Sequence, residues 1–480
     1  MPTGDVPNVP NVRKSTQTSA RSTEKWRTGP DRRRRYRLRP APCTVATVYI
    51  PWLSRFDRGL VRASRTARKG WHGLGPGLVT GVADDDPSGI STYTVAGATH
   101  GYSLLWMSLL TLPMNFAVQS VCARMGVITG RGLASTIANR YGRRWLYVVV
   151  GLLLIANVTN IAADIGAIAA VIALLVPVRA VLLVIPIGLA IALVEVLVPY
   201  EQFARYLKLL TLVILAYVAG AFIARPDWGA ALSGTFMPRL SLHRETVATV
   251  VAVLGTTISP YLFFWQTSQE VEEEEVHGIV PAASPRAQLR RLLHAADLDV
   301  GFGMVMANVG FYFVVLTAAA TLHAGGQTDV HTAAQAAEAL RPLAGNAATL
   351  LFALGIIGTG LLAVPVLAGS VAYASAELFA WPEGLSKTLQ RAPQFYGVIA
   401  LATVGGIVIV FSPLSEIQAL FLAAVVNGMI APVLLVFLML SARDRRVLGD
   451  LRPGRLVVAF GWVTTLTMGL AAIALLLTLI

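Results

Sequence analysis

Long apolar segments dominate the pattern of hydrophobic and polar positions from residue 74 onward. A helix needs about 20 consecutive apolar residues to cross a bilayer, and about eleven segments reach that length. They cover residues 74–98, 102–126, 145–176, 179–199, 206–224, 247–269, 298–323, 346–374, 394–412, 415–441 and 455–479. Membrane β-barrels instead use short segments of alternating hydrophobicity. The pattern therefore predicts an all-α integral membrane protein with about eleven transmembrane helices.

Two of the predicted spans are interrupted by polar residues beside a proline. The first span breaks at Asp86-Pro87-Ser88-Gly89, and the sixth breaks at Thr256-Thr257-Ile258-Ser259-Pro260. Proline removes a backbone donor and clashes with the preceding turn, so each helix opens there. The two breaks lie five spans apart. Because each span reverses the direction of the chain, an odd offset means that the second copy is inverted relative to the first, as in transporters built from inverted repeats.

The repeat predicts how the chain is organised. We expect a transporter core over residues 71–445, made of two inverted five-helix repeats at about 71–225 and 247–441. One extra transmembrane helix follows within 446–480. Residues 1–70 lack apolar periodicity and are strongly basic, so we expect a disordered cytoplasmic tail. Contact of this tail with anionic lipid or nucleic acid is the alternative, and we expect no nucleic-acid partner.

Composition and charge agree with a membrane protein and orient it. The chain is 55% hydrophobic and 14% charged, whereas soluble domains carry about 25% charged residues. Arg and Lys crowd alternate connections between spans, at 123–145, 201–208, 283–294, 386–393 and 442–455. Because basic loops stay on the cytoplasmic side, we expect the N-terminus to be cytoplasmic and the protein to lie in the cell (plasma) membrane.

Three consecutive aspartates precede the proline of the first break. A carboxylate deep in a membrane is costly, and it persists where it faces a wet cavity or a cation. An opened helix also frees carbonyl oxygens, which are tolerated where they line a cavity. Asp86 adjoins the break and is the expected direct ligand. Asp84 and Asp85 point to other faces of the helix. Asp85 is a further candidate for the metal site, and Asp84 is a candidate for the surrounding contacts or the permeation path. The sequence therefore predicts a hard-cation site at mid-membrane, with aspartates in headgroup water as the alternative.

Other polar positions are weaker candidates. Glu270 begins a dense acidic run that closes the sixth span, which is either a solvated helix end or an exit that concentrates cations. Asn427 in the tenth span is either an interhelical hydrogen-bonding residue or a contact for a hydrated ion. Motifs of metalloproteases, serine hydrolases and nucleotide-binding loops are missing from the sequence, so we expect no enzyme and no cofactor.

Residues 86–106, DPSGISTYTVAGATHGYSLLW, followed by CARMGVITGRGLA at 122–134, resemble the first two helices of the Nramp family of divalent-metal transporters. That resemblance implies a LeuT-like fold, with two inverted repeats of five helices and the metal held between broken helices one and six. The family's metal-binding aspartate matches Asp86. Its asparagine falls at Gly89 and its methionine at Ser259, and the resemblance implies carbonyl ligands from Thr256 and Ala83.

These departures change the expected metal. A thioether favours transition metals over Mg²⁺ and Ca²⁺, and a hydroxyl at Ser259 removes that bias. The glycine at Gly89 enlarges the cavity and removes one ligand. Mg²⁺ gives up its waters reluctantly and is usually bound by one or two carboxylates. The substitutions resemble the Nramp-related magnesium transporter branch, so we expect partly hydrated Mg²⁺ as substrate, with Mn²⁺ also accepted.

Proton coupling is expected to be lost. Nramp transporters carry two acids on helix three, where this chain reads Thr159-Asn160-Ile161-Ala162-Ala163, and their two helix-six histidines align with Tyr261 and Gln266. A proton relay needs groups that titrate in the working pH range. Asp164 follows one position later and either restores coupling or pairs across helices. Our hypothesis is uncoupled transport by alternating access, down the electrochemical gradient.

Several alternatives remain open at the level of sequence. The nearest is a proton-coupled Mn²⁺/Fe²⁺ transporter of the ordinary Nramp type. A second is a sodium-coupled carrier of organic solutes with the same fold, and a third is a divalent-cation sensor or channel. The expected partners are the divalent metal substrate and the lipid bilayer. Oligomeric state stays open, and a monomer is compatible with the sequence.

Overall fold

A computed structural model of the protein describes residues 75–238, 243–328, 330, 333–412 and 416–479. The predicted basic tail, residues 1–70, lies outside this part of the chain. Every regular element within it is helical. The helices are α1 (Pro76–Ala83), α2 (Pro87–His100), α3 (Trp106–Thr129), α4 (Leu133–Tyr141), α5 (Arg144–Leu175), α6 (Ala180–Leu197), α7 (Tyr200–Leu210), α8 (Ile214–Ile223), α9 (Trp228–Phe236), α10 (Arg244–Thr257), α11 (Pro260–Val276), α12 (Arg286–Ala318), α13 (Ala333–Phe379), α14 (Pro393–Val410), α15 (Glu416–Arg443), α16 (Arg445–Leu448) and α17 (Arg455–Leu479).

The all-helical membrane fold predicted from hydropathy is confirmed. Nine of the described helices are long and apolar enough to cross a membrane, and a bent pair of helices raises this number to ten. That pair joins Pro87–Leu104 to Trp106–Thr129 at an angle of 109°. About eleven spans were expected. The difference arises at the first two expected spans, because α2 and α3 qualify only together as this bent pair and α1 has only eight residues.

Both predicted helix breaks are present. α1 ends at Ala83 and α2 begins at Pro87, so Asp84, Asp85 and Asp86 form the connection. α10 ends at Thr257, and α11 begins at Pro260. Each second half starts with proline because its missing N–H group is not needed in the first turn of a helix.

Large apolar side chains on peripheral helices face outward. Leu182 on α6 and Leu466 and Leu470 on α17 are each more than 60% exposed. In a soluble protein such a surface would be an interaction site. On transmembrane helices it is the surface that contacts lipid tails.

The basic loops meet at one end of the helices, which we call the basic end. Ion pairs join segments that are far apart in sequence, as expected if alternate connections share one side. One of these pairs is Arg140–Asp444, in which the hydrogen bond from the Arg140 guanidinium lowers the pKa of the Asp444 carboxyl group. The pairs are Arg124–Asp297 at 2.8 Å, Arg140–Asp444 at 2.5 Å, Arg286–Asp450 at 3.4 Å and Lys387–Glu275 at 3.5 Å.

Backbone contact holds α1 against α12. A Cβ atom added at Gly81 would lie 2.1 Å from the carbonyl oxygen of Gly303, and one at Gly303 would lie 2.0 Å from that of Gly77. Asp299 on α12 accepts hydrogen bonds from the backbone N–H groups of Gly75 at 2.8 Å and Gly77 at 2.6 Å. These are unpaired donors of the first turn, so one carboxylate satisfies the N-terminal end of α1.

This packing makes a stability prediction for Gly303→Ala. The added methyl group overlaps the backbone of α1, and overpacking of this kind costs about 1–3 kcal/mol. We expect a lower midpoint of thermal unfolding in detergent. Gly151→Ala on α5 is the matched control, because a Cβ there meets nothing within 4 Å. Equal unfolding midpoints for the two variants would contradict the close α1–α12 contact.

Candidate metal centre

Asp86 is both the predicted metal ligand and the N-cap of α2. Its Oδ1 atom accepts hydrogen bonds from the backbone N–H of Gly89 and the hydroxyl of Ser88, both at 2.6 Å. Asp is a preferred N-cap because its side-chain oxygen satisfies a free donor of the first turn. The side chain is 3% exposed. The carboxylate is therefore held in a fixed orientation beside the break, as a metal ligand must be.

Asp84 connects the first break to the sixth. Its Oδ2 atom accepts a hydrogen bond from the Nδ2 group of Asn115 on α3, at 3.2 Å. The same Nδ2 group donates to the carbonyl oxygen of Thr257, at 3.1 Å. One amide on the second span thus bridges the two openings. Sequence analysis missed Asn115, although an amide within an apolar span is the signal that drew attention to Asn427.

Asp85 faces a different neighbour. Its Oδ2 atom lies 2.0 Å from the position that a Cβ at Gly310 on α12 would occupy. The side chain is fully buried, and neither oxygen accepts a hydrogen bond from the described residues. The three adjacent carboxylates therefore have three environments. The reason differs from the one expected, because they lie in the non-helical connection between α1 and α2 and not on successive faces of a helix.

At the sixth break, Ser259 is the N-cap of α11 and its hydroxyl turns back on the chain. The Oγ atom donates to the carbonyl oxygen of Thr256, at 2.9 Å. The side-chain oxygen of the neighbouring Thr257 lies 3.1 Å from the hydroxyl oxygen of Tyr93 on α2. A hydroxyl that donates one hydrogen bond keeps acceptor lone pairs, so Ser259 and the Thr256 carbonyl remain able to bind a cation.

Tyr261 joins the two halves of the site from the other direction. Its hydroxyl donates to the carbonyl oxygen of Ala83 at 2.9 Å, and both groups are buried. Ala83 is the residue whose carbonyl was expected to face the metal. A carbonyl oxygen has two lone pairs, so it can accept this hydrogen bond and still have one free.

Gly89 lies where a side chain would enter the site. A Cβ atom placed there would be 3.2 Å from the carbonyl oxygen of Asp84 and 3.3 Å from Oδ1 of Asp86. The position therefore faces the oxygen atoms of the first break. Glycine leaves that volume open, and a larger residue requires small shifts of its neighbours.

The remaining predicted residues lie around this centre. Gln266 donates through Nε2 to Oε1 of Glu270 at 2.9 Å, which links them along α11. Asp164 is fully buried on α5 and interacts electrostatically with the hydroxyl of Tyr261. Asn427 on α15 is buried, and its Oδ1 atom accepts no hydrogen bond from the described residues.

Glu195 is another buried acid that sequence analysis missed. It lies on α6, and both of its oxygens are buried without a hydrogen bond from the described residues. Its Oε1 atom is 3.5 Å from the position of a Cβ at Gly369, which the ring of Trp265 also contacts. A single carboxylate in an otherwise apolar span is the signal that could have identified it.

No group of three or more His, Cys, Asp or Glu residues in the described chain is arranged to hold a metal ion. The groups expected to bind the metal at the two breaks are instead the carboxylate of Asp86, the hydroxyl of Ser259 and backbone carbonyls. These are oxygen ligands, which suit Mg²⁺, Ca²⁺ and Mn²⁺. A hydrated ion can use such a mixed set because its own waters complete the coordination shell.

Solved structures resemble this fold. The manganese transporter of Eremococcus coleocola matches with a TM-score of 0.70 at 18% identity, covering 86% of this chain and 87% of that one. Mhp1, a nucleobase-cation-symport-1 family transporter, matches with a TM-score of 0.57 at 14% identity, covering 84% and 92%. The predicted LeuT-like fold is confirmed by these neighbours.

Sequence relatives are transporters, not enzymes. The divalent metal cation transporter MntH of Aeromonas hydrophila is 29% identical over 403 residues, which is 80% of this chain and 92% of that protein. MntH of Klebsiella pneumoniae strain 342 is 29% identical over 419 residues, covering 85% and 94%. The model of the family described as natural resistance-associated macrophage protein-like, or Nramp, matches residues 77–478. The chain belongs to the Nramp family.

Proposed function

We propose that this protein carries divalent metal ions across the cell membrane, with Mg²⁺ as the main substrate and Mn²⁺ also accepted. The observation that carries the proposal is the oxygen-only set of groups at the two breaks. Asp86 provides the charge, Ser259 a hydroxyl, and Thr256 and Ala83 carbonyl oxygens. The relatives named divalent metal cation transporters support the substrate class.

The preference for Mg²⁺ rests on two positions. Ser259 presents oxygen where a thioether would select softer transition metals. Gly89 adds no ligand and leaves volume beside Asp86 for water. Mg²⁺ keeps several waters when it binds to proteins, so a site with one charged ligand and free volume suits it. The ion would enter partly hydrated and cross by alternating access, with the basic end cytoplasmic.

We further propose that no proton accompanies the metal. Tyr261 and Gln266 occupy the positions that align with the two helix-six histidines of Nramp transporters. The hydroxyl of Tyr261 donates a hydrogen bond to the carbonyl oxygen of Ala83. A tyrosine hydroxyl titrates near pH 10, well outside the range of a physiological relay. The competing function is a proton-coupled Mn²⁺/Fe²⁺ transporter. The buried Asp164 beside Tyr261 favours that alternative.

Asp86→Asn tests the transport site while preserving the fold. Asn is also a good N-cap, so α2 should keep its start, but the charged ligand is lost. We expect the apparent affinity for Mg²⁺ uptake into proteoliposomes to fall roughly 10- to 100-fold, matching about 1.5–3 kcal/mol for an interaction with a charged group. The thermal unfolding midpoint should stay near that of the wild type.

The control for Asp86→Asn is Ser88→Ala, which removes a hydrogen bond to the same oxygen but keeps the carboxylate. Its uptake should remain much closer to the wild-type value. Wild-type uptake by a folded Asp86→Asn protein would remove Asp86 from the transport site.

The double variant Ser259→Met with Gly89→Asn tests selectivity. It restores a thioether and an amide at the two positions, and the thioether favours transition metals. We expect the ratio of Mn²⁺ to Mg²⁺ uptake to rise by roughly tenfold, the effect of about 1.4 kcal/mol. The measurement is uptake of each ion at matched concentrations.

Ser259→Ala is the control for selectivity, because it removes the hydroxyl without adding sulfur. It should weaken Mg²⁺ uptake and leave Mn²⁺ no better transported. If the double variant keeps the wild-type ratio of the two ions, these positions do not set selectivity.

A further inference from the structure

A cavity of about 260 Å³ lies at the basic end, apart from the two breaks. It is open on one side and is lined by α11, by α12, by Val127 of α3 and by the start of α1 at Gly75 and Pro76. Four carboxylates line it, together with one histidine and two alanines. The lining acids are Glu270, Glu273, Glu274 and Asp299.

The acids of α11 share one face of that helix. Glu270, Glu273, Glu274 and His277 recur at helical spacings of three and four residues, which brings their side chains to the same side. Ala295 and Ala296 face them from α12 and are too small to fill the space. The cavity therefore exists because the acidic face of α11 lies opposite small side chains of α12, which leave space between the two helices.

Glu274 is the residue that points to a ligand. It is 5% exposed, and neither of its oxygens accepts a hydrogen bond from the described residues. A buried carboxylate without a partner is costly, and it is stabilised either by taking up a proton or by pairing with a cation. The other acids are engaged: Glu270 with Gln266, Glu273 with Tyr200, and Asp299 with the first turn of α1.

No lysine or arginine is among the described residues that line the cavity. Lys208 interacts electrostatically with two of the lining acids, Asp299 and Glu273. The acids are not arranged to coordinate a bare ion, since the described chain holds no group of three such ligands in coordinating positions. Six waters occupy about 180 Å³ at roughly 30 Å³ each, which this cavity can contain.

We propose that this cavity is a second divalent-cation site, which holds hydrated Mg²⁺ through contacts between its water shell and the carboxylates of α11 and Asp299. Mg²⁺ suits such a site because it retains its waters. The site is separate from the transport site and does not depend on Asp86. Because Asp299 also holds the N-terminal end of α1, a bound ion stabilises α1 in its present position against α12.

The test is a calorimetric titration of Mg²⁺ into the purified full-length protein carrying Asp86→Asn, which weakens the transport site. We expect one Mg²⁺ to bind this variant, and cobalt(III) hexaammine, an inert mimic of hydrated Mg²⁺, to compete with it. Adding Glu274→Gln should weaken this binding by roughly tenfold or more, the loss expected for a charge-assisted contact.

Glu275→Gln in the same background is the matched control. It removes one carboxylate from the next position of α11, but Glu275 is exposed and pairs with Lys387. Binding should be retained. Ala295→Leu narrows the cavity without changing charge and should weaken binding even if Glu274→Gln does not fold.

Three results would overturn the proposal: no Mg²⁺ binding to the Asp86→Asn protein, equal binding with Glu274→Gln or Ala295→Leu in a folded protein, or failure of cobalt(III) hexaammine to compete. Each of these is a binding result in a protein whose transport site is weakened. Failure of the proposed transport function would instead appear as absent Mg²⁺ uptake by the wild type.

Discussion

The structure depends on hydrogen bonds that join two interrupted helices inside a membrane. An opened helix exposes backbone groups that cost several kcal/mol each if they stay unsatisfied in lipid. Asn115 satisfies the carbonyl of Thr257 at one break and the carboxylate of Asp84 at the other. Tyr261 does the same for the carbonyl of Ala83. The hydrogen bonds of Asn115 and Tyr261 therefore link the two breaks to each other.

The same arrangement explains why α1 is a distinct unit. It has only eight residues, and its two ends are held differently. Asp299 satisfies its N-terminal donors, and glycine contacts allow its backbone to lie directly on α12. Its C-terminal end continues into the three aspartates. α1 is therefore held by α12 along its length and opens at its C-terminal end into the first break.

Sequence alone was sufficient for the features that act locally. Hydropathy predicted the helical spans, and proline predicted both breaks, because each effect depends on residues close together in the chain. Asp84, Asp85 and Asp86 have three different environments, as expected, but they lie in the non-helical connection between α1 and α2 and not on faces of a helix. The membership of these residues in a metal site stays a prediction.

Features that need the packing of distant spans could not be predicted in this way. The bridging role of Asn115 depends on three spans meeting, and no one-dimensional pattern records which spans are neighbours. The hydrogen bond from Tyr261 to Ala83 joins residues 178 positions apart in the chain. The open cavity beside Glu274 likewise exists because alanines of α12 face an acidic stripe on α11. In each case the sequence indicated individual residues, and the structure supplies the residues that surround them.

The central claim is that the protein transports Mg²⁺ without a proton, by binding the ion at the oxygen-lined helix break beside Asp86. The most direct measurement is Mg²⁺ uptake into proteoliposomes that contain the wild-type protein and a trapped pH dye, with Mn²⁺ and Ca²⁺ offered in parallel. The account predicts saturable Mg²⁺ uptake with no change in internal pH. Uptake of Mn²⁺ alone, accompanied by internal acidification, would contradict it and would identify an ordinary proton-coupled Nramp carrier.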